Sequence, residues 1–183
     1  MKKANKHYFI ALKIDEKTKK WIYDIQKSCK DTFDFKTWVE PNDFDITLHF
    51  FGAISKQQLI KIANDLEQIT IKKSFTLEID QLSTFGPTIK PRVLWLGVST
   101  TPTLKSLHNQ IQTIVGHYGN IDKRTFTPHI TLAKKWASKN TIDKGNINFT
   151  TKTREIKITE LVIYEIHPDL KQKYQVWCEF KLE

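Results

Sequence analysis

Cysteine occurs only twice in 183 residues, at Cys29 and Cys178, which is too few for a disulfide framework or a thiolate metal cluster. Glycine and proline are scarce as well, six of each, which excludes a linker or low-complexity chain. No apolar run approaches the roughly 18 residues that a membrane span needs. The apolar stretch Tyr8–Leu12 behind the basic start is too short for a signal peptide, and no small-residue cleavage site follows it. Gly-rich phosphate loops and metal-ligand spacings are missing too, so the expected chemistry uses neither metal nor cofactor. With 39% apolar and 27% charged residues, the expectation is a globular, monomeric chain in a reducing cytoplasm, away from membranes.

Arginine is nearly absent. It stands only at Arg92, Arg124 and Arg154, so lysine supplies the rest of the 29 basic residues and fixed guanidinium forks are few. Against 20 acidic residues the surplus is +9. Such a charge attracts polyanions, of which nucleic acid is the commonest in a cell. It equally fits a generic lysine-rich protein, and charge alone does not separate the two.

An internal repeat carries more. Asp45–Leu48 reads DITL and His129–Leu132 reads HITL, an offset of 84 residues. The same offset places the strand-like YFIALKI (Tyr8–Ile14) on RVLWLGV (Arg92–Val98). Asp15–Lys30 and Thr101–Tyr118 both carry apolar residues at helical spacing, with Asp15 as N-cap of the first. FTLEIDQL (Phe75–Leu82) resembles EIKITELVIY (Glu155–Tyr164). The helix of SKQQLIKIANDLEQI after Ser55 has only a short counterpart after Ala137, broken by Gly145. The fold class expected is therefore α+β. Two pseudo-symmetric lobes, roughly 1–86 and 87–183 with exchange of terminal strands allowed, each present an antiparallel sheet with helices outside and enclose a central cleft.

In a strand, residues i and i+2 share a face. His129 and Thr131 then front one strand while Ile130 and Leu132 pack behind it, and Asp45, Thr47 and His49 front the other. An imidazole takes or gives a proton near neutral pH, and a threonine hydroxyl donates to a phosphate oxygen.

At these residues the chain resembles the 2H phosphoesterases, in particular the bacterial RNA 2′,3′-cyclic phosphodiesterases, also called 2′-5′ RNA ligases. The resemblance rests on YFIALKI, on DITLHFFG at Asp45–Gly52, on PRVLWLGV at Pro91–Val98 and on RTFTPHITLAK at Arg124–Lys134. It implies two H-x-T motifs facing one another across a cleft and an RNA end as substrate. Water attacks a 2′,3′-cyclic phosphate in line and leaves a 2′-phosphate, without a metal. Carried over, His129 moves a proton, Thr47 and Thr131 hold phosphate oxygens, and Arg124 and Lys134 supply further phosphate or RNA contacts.

The first motif departs from the pattern, with Asp45 at the place of the expected histidine. A carboxyl at its reference pKa of about 4 is ionised near pH 7 and is a poor proton donor. Either Asp45 works with altered chemistry, as a base or with a raised pKa, or the protein binds RNA ends or nucleotides with little turnover. A 2H enzyme for 2′-5′ linked or cyclic oligonucleotides is a third reading. His49, two residues beyond Thr47, reads better as a phosphate or base contact than as a substitute acid. Trp136 and Phe126 are candidate stacking rings, and Arg92 is a candidate cleft cation.

Overall fold

The helices begin where short polar side chains satisfy free backbone N–H groups. Asp15 accepts from the N–H of Thr18 at 2.9 Å, Ser55 from that of Gln58 at 3.2 Å, and Thr101 from that of Leu104 at 3.2 Å. They open α1 (Glu16–Thr32), α2 (Lys56–Leu66) and α3 (Pro102–Gly116). Each helix buries one stripe: Ile22, Gln26 and Cys29 in α1, Leu59, Ile62 and Leu66 in α2, and Leu104, Leu107, Ile111 and Val115 in α3.

The computed structural model describes residues 6–87, 89–141 and 153–183. Its strands are β1 (His7–Lys13), β2 (Phe35–Trp38), β3 (Asp45–Ala53), β4 (Phe75–Phe85), β5 (Val93–Val98), β6 (His129–Trp136), β7 (Arg154–Ile158), β8 (Glu160–Ile166) and β9 (Tyr174–Lys181). They form two sheets with antiparallel pairing, one ordered β3-β1-β8-β9 and the other β2-β6-β5-β4-β7. Most of the segment after Ala137, with Gly145, lies outside the described residues.

Both sheets draw strands from both halves of the chain. β2 and β4 lie in the second sheet, while β8 and β9 lie in the first, so a cut near residue 86 does not divide the molecule in space. The offset of 84 carries β3 onto β6 and β1 onto β5, and β3 neighbours β1 in the first sheet as β6 neighbours β5 in the second. β1 reads as an almost unbroken apolar run because both of its faces are covered. Ile10 and Leu12 join the main core, and Phe9 and Ala11 join a smaller cluster with Val162 and Tyr164.

Both motif strands carry a bulge, and at the same motif position. In β3, Ile10 pairs with His49 and Ala11 with Thr47, so Leu48 is skipped. In β6, Leu94 pairs with Ala133 and Trp95 with Thr131, so Leu132 is skipped. A bulge inserts one residue and reverses the facing of everything beyond it. Beyond the bulges His49 and Ala133 turn inward, and Phe50 and Lys134 turn outward.

Candidate active site

The two motif strands meet at a small pocket of about 50 Å³. Asp45 and Thr47 enter it from β3, His129, Thr131 and Lys134 from β6, and Asp43 and Tyr174 close its far side. Thr47 and His129 also line a larger cavity of about 650 Å³, whose walls include Phe50, Phe85, Arg92 and Arg124. The apolar alternates Ile46, Leu48, Ile130 and Leu132 are all buried behind the polar front.

His129 has one defined tautomer. Its Nδ1 lies 2.7 Å from the carbonyl of Thr127. A carbonyl only accepts, so Nδ1 carries the proton and Nε2 is left with a lone pair. The ring is framed by Phe85, edge-on at 4.9 Å, and by Trp95 at 5.7 Å. Removal from water lowers its pKa from the ordinary 6.5, Lys134 adds to that, and the bond to Thr127 opposes it. The imidazole is neutral at pH 7.

Of the readings open for Asp45, its surroundings favour the raised pKa. Burial pushes this carboxyl up to about 7, and nearby Asp43 adds to the rise. The hydroxyl of Thr47, donating to Oδ1 at 2.8 Å, and the ammonium of Lys134 pull the other way without cancelling it. Near neutrality Asp45 therefore keeps a protonated population that an ordinary surface carboxyl lacks.

His49 lines the larger cavity, but its facing differs from simple alternation. Simple alternation puts it on the face of Thr47, but the bulge at Leu48 turns it inward, where it is 2% exposed. Its Nε2 is 3.2 Å from Oδ1 of Asn120, and the amide of Gln112 donates to its Nδ1 at 3.2 Å. Both ring nitrogens are thus engaged with protein groups. Phe50 takes the outward place and is 45% exposed. The other bulge has the opposite consequence for Lys134, which alternation would place behind Thr131 and which lines the small pocket instead.

Arg124 is not brought to that pocket. It stands on the rim of the larger cavity, and Nη2 and Nε donate to Asp122 at 2.6 and 2.9 Å. Arg92 is on the same rim. Phe126 lines that cavity and is stacked on His108 at 3.9 Å. Trp136 lines neither cavity: its ring meets Phe35 edge-on at 5.2 Å, and its Nε1 donates to the carbonyl of Asn140 at 3.0 Å.

Three pocket residues, Val39, Asp43 and Tyr174, were not expected from sequence. Asp43 is buried and accepts from the backbone N–H groups of Lys173 and Tyr174 at 2.8 and 3.1 Å, which ties the start of β9 to the pocket. Asp43 precedes Asp45 by two, a local signal that was available. Tyr174 lies about 130 residues away in sequence, and only the strand order brings it near. Among the described residues no group of three or more His, Cys, Asp and Glu is placed to hold a metal. No described helix is long and apolar enough to cross a membrane.

Known proteins resemble this chain in sequence and in fold. The RNA 2′,3′-cyclic phosphodiesterase of Bacillus subtilis strain 168 is 30% identical over 178 residues, covering 96% of each chain. The protein of the same name from Geobacillus stearothermophilus is 27% identical over 179 residues, and the match spans 96% of this chain but 57% of that one. Among solved structures, E. coli LigT complexed with 3′-AMP superposes with a TM-score of 0.79 at 22% identity, over 97% of this chain and 98% of that one. A Thermus thermophilus protein superposes with a TM-score of 0.76 at 19% identity, over 96% and 97%. The family model of the 2′-5′ RNA ligase superfamily matches residues 45–168, from the first motif to beyond β8. The chain belongs to the 2′-5′ RNA ligase superfamily, within the 2H phosphoesterases.

Proposed function

We propose that the protein hydrolyses RNA 2′,3′-cyclic phosphate ends to 2′-phosphates, with His129 as general base and Asp45 as general acid. The observation that carries this is the meeting of Asp45, Thr47, His129 and Thr131 around one small pocket. Nε2 of His129 takes a proton from water as the oxygen attacks phosphorus. The bond from phosphorus to the 3′ oxygen breaks, and Asp45 gives that oxygen its proton. Thr47 and Thr131 donate to the non-bridging oxygens, and Lys134 offsets the negative charge that grows on them.

Thr47 has a double part in this scheme. Without substrate its hydroxyl donates to Asp45. When it turns to a phosphate oxygen the carboxylate loses that support, and the anion beside it raises the pKa further. Substrate thereby favours the protonated Asp45 that the leaving group needs. His49, buried and engaged at both nitrogens, supports the β3 wall in this reading and leaves the substrate contacts to Thr47 and Phe50.

RNA is the proposed partner, the protein acts as a monomer, and the acid–base step needs no metal. The free thiols Cys29 and Cys178 fit a reducing cytoplasm. The matching adjacency of β3 with β1 and of β6 with β5 supports descent of the two sheets from one doubled unit. The test is incubation of an oligonucleotide bearing a 2′,3′-cyclic phosphate, followed by phosphorus NMR. A 2′-phosphate product that disappears with His129→Ala supports the proposal, and binding without product from the native protein refutes it.

A further inference from the structure

A further cavity lies outside the cleft, between α1 and the segment Trp38–Asn42, with a volume of about 560 Å³. Val39 lines both this groove and the small pocket at Asp45 and His129. Three features distinguish it from an ordinary solvated helix face. First, its rim carries Lys20, Lys30 and Lys171, all exposed. Second, two half-buried aromatic rings stand beside them: Nζ of Lys30 is 5.9 Å from the ring centre of Tyr23 and 5.5 Å from that of Trp38. Third, the fully buried side chain of Gln26 ties the wall of the groove to β6. Its Nε2 donates to the carbonyls of Val39 and Leu132 at 2.8 and 3.0 Å.

Glu16 and Glu40 also line the groove, and they fix which cations are free. Lys19 is held by Glu16 at 3.2 Å and by the carbonyl of Asn42 at 3.1 Å, and Glu40 lies 3.8 Å from Lys171. Lys20 and Lys30 remain for an incoming anion.

We propose that this groove is a second nucleotide-binding site. A base stacks on Tyr23 or Trp38, and a phosphate meets Lys20 and Lys30. Planar rings together with ammonium groups select a nucleotide over a simple anion. Gln26 also holds the carbonyl of Leu132, the residue skipped at the β6 bulge, so the groove wall is joined to the strand that presents Thr131 and Lys134.

The nucleotide has two sources, a residue of the RNA upstream of the end held in the cleft or a free nucleotide. The first rests on the cleft reading above, and the second does not. The test compares the native protein with Lys20→Ala/Lys30→Ala, at exposed helical positions where alanine favours the fold, and with Tyr23→Ala. Binding is measured for a single-stranded RNA of about eight nucleotides ending in a 2′-phosphate, and separately for AMP, across a salt series. A tenfold loss for the RNA in the double variant, with a salt slope smaller by about 1.4 for two lost phosphate contacts, assigns the groove to the upstream strand. Loss of one equivalent of bound AMP with RNA binding unchanged assigns it to a free nucleotide. Unchanged affinity and slope for both ligands in both variants overturns the proposal. The readout is binding, so a failure of the catalytic reading appears separately, as absent turnover by the native protein.

Discussion

The hydroxyl of Thr47 donates to the carboxyl of Asp45 at 2.8 Å, two residues apart on the same strand of the cleft. This bond is one of the few influences holding the Asp45 pKa down against burial. It links the residue proposed to hold the phosphate with the residue proposed to protonate its leaving group. Replacing Thr47 with Val removes both contributions. We expect a lower kcat/KM together with an alkaline limb displaced to higher pH, read from the pH profile of turnover.

Asp45→Asn keeps the shape and removes the proton. A lost general acid typically costs about 10²- to 10⁴-fold in kcat, and that range is expected in single-turnover assays. Asp45→His puts back a group that titrates near neutrality, and activity close to the native level is expected from it. A native-like rate for Asp45→Asn shows that another group protonates the leaving oxygen.

The pH profile should be bell-shaped and narrow. Asp45 donates only while protonated, so the rate falls as pH rises through about 7. His129 accepts only while neutral, so the rate falls again below its lowered pKa, on the acid side of 6.5.

The same carboxyl sets a stability trend. Folding raises its pKa, so between about pH 4 and pH 7 the native state holds a proton that the unfolded chain has released, and stability is lost as pH rises through that window. Asp45→Asn should therefore stabilise the protein at pH 8, on the order of 2–4 kcal/mol, and leave it little changed at pH 4. Denaturant melts at the two pH values measure the difference.

His49→Ala tests whether the bulge has been read correctly. It opens a cavity and strands Asn120 and Gln112, so a cost of about 2–4 kcal/mol is expected, seen as a lower melting temperature. At a temperature where the variant stays folded, KM should change little. A collapse of substrate binding instead marks His49 as a direct contact.

Much of this was legible in the sequence. The offset between DITL and HITL located both motif strands, Asp15 and Ser55 announced their helices, and alternation put Thr47, His129 and Thr131 on polar faces. Period-two reasoning then failed where a strand gained a residue. The bulges at Leu48 and Leu132 carry no glycine or other local mark, and they moved His49 inward and Lys134 into the pocket. Asp43 and Tyr174 meet only through the strand order, and the raised pKa of Asp45 is a consequence of burial, a tertiary property that one residue letter does not hold.

The central claim concerns one proton on one carboxyl group. Carbon-13 labelling of aspartate, with the Asp45 signal assigned by its loss in Asp45→Asn, follows that group directly through a pH titration of the free protein. A midpoint near 7 is what Asp45 acting as the acid requires; a midpoint near the ordinary carboxylate value of about 4 contradicts it.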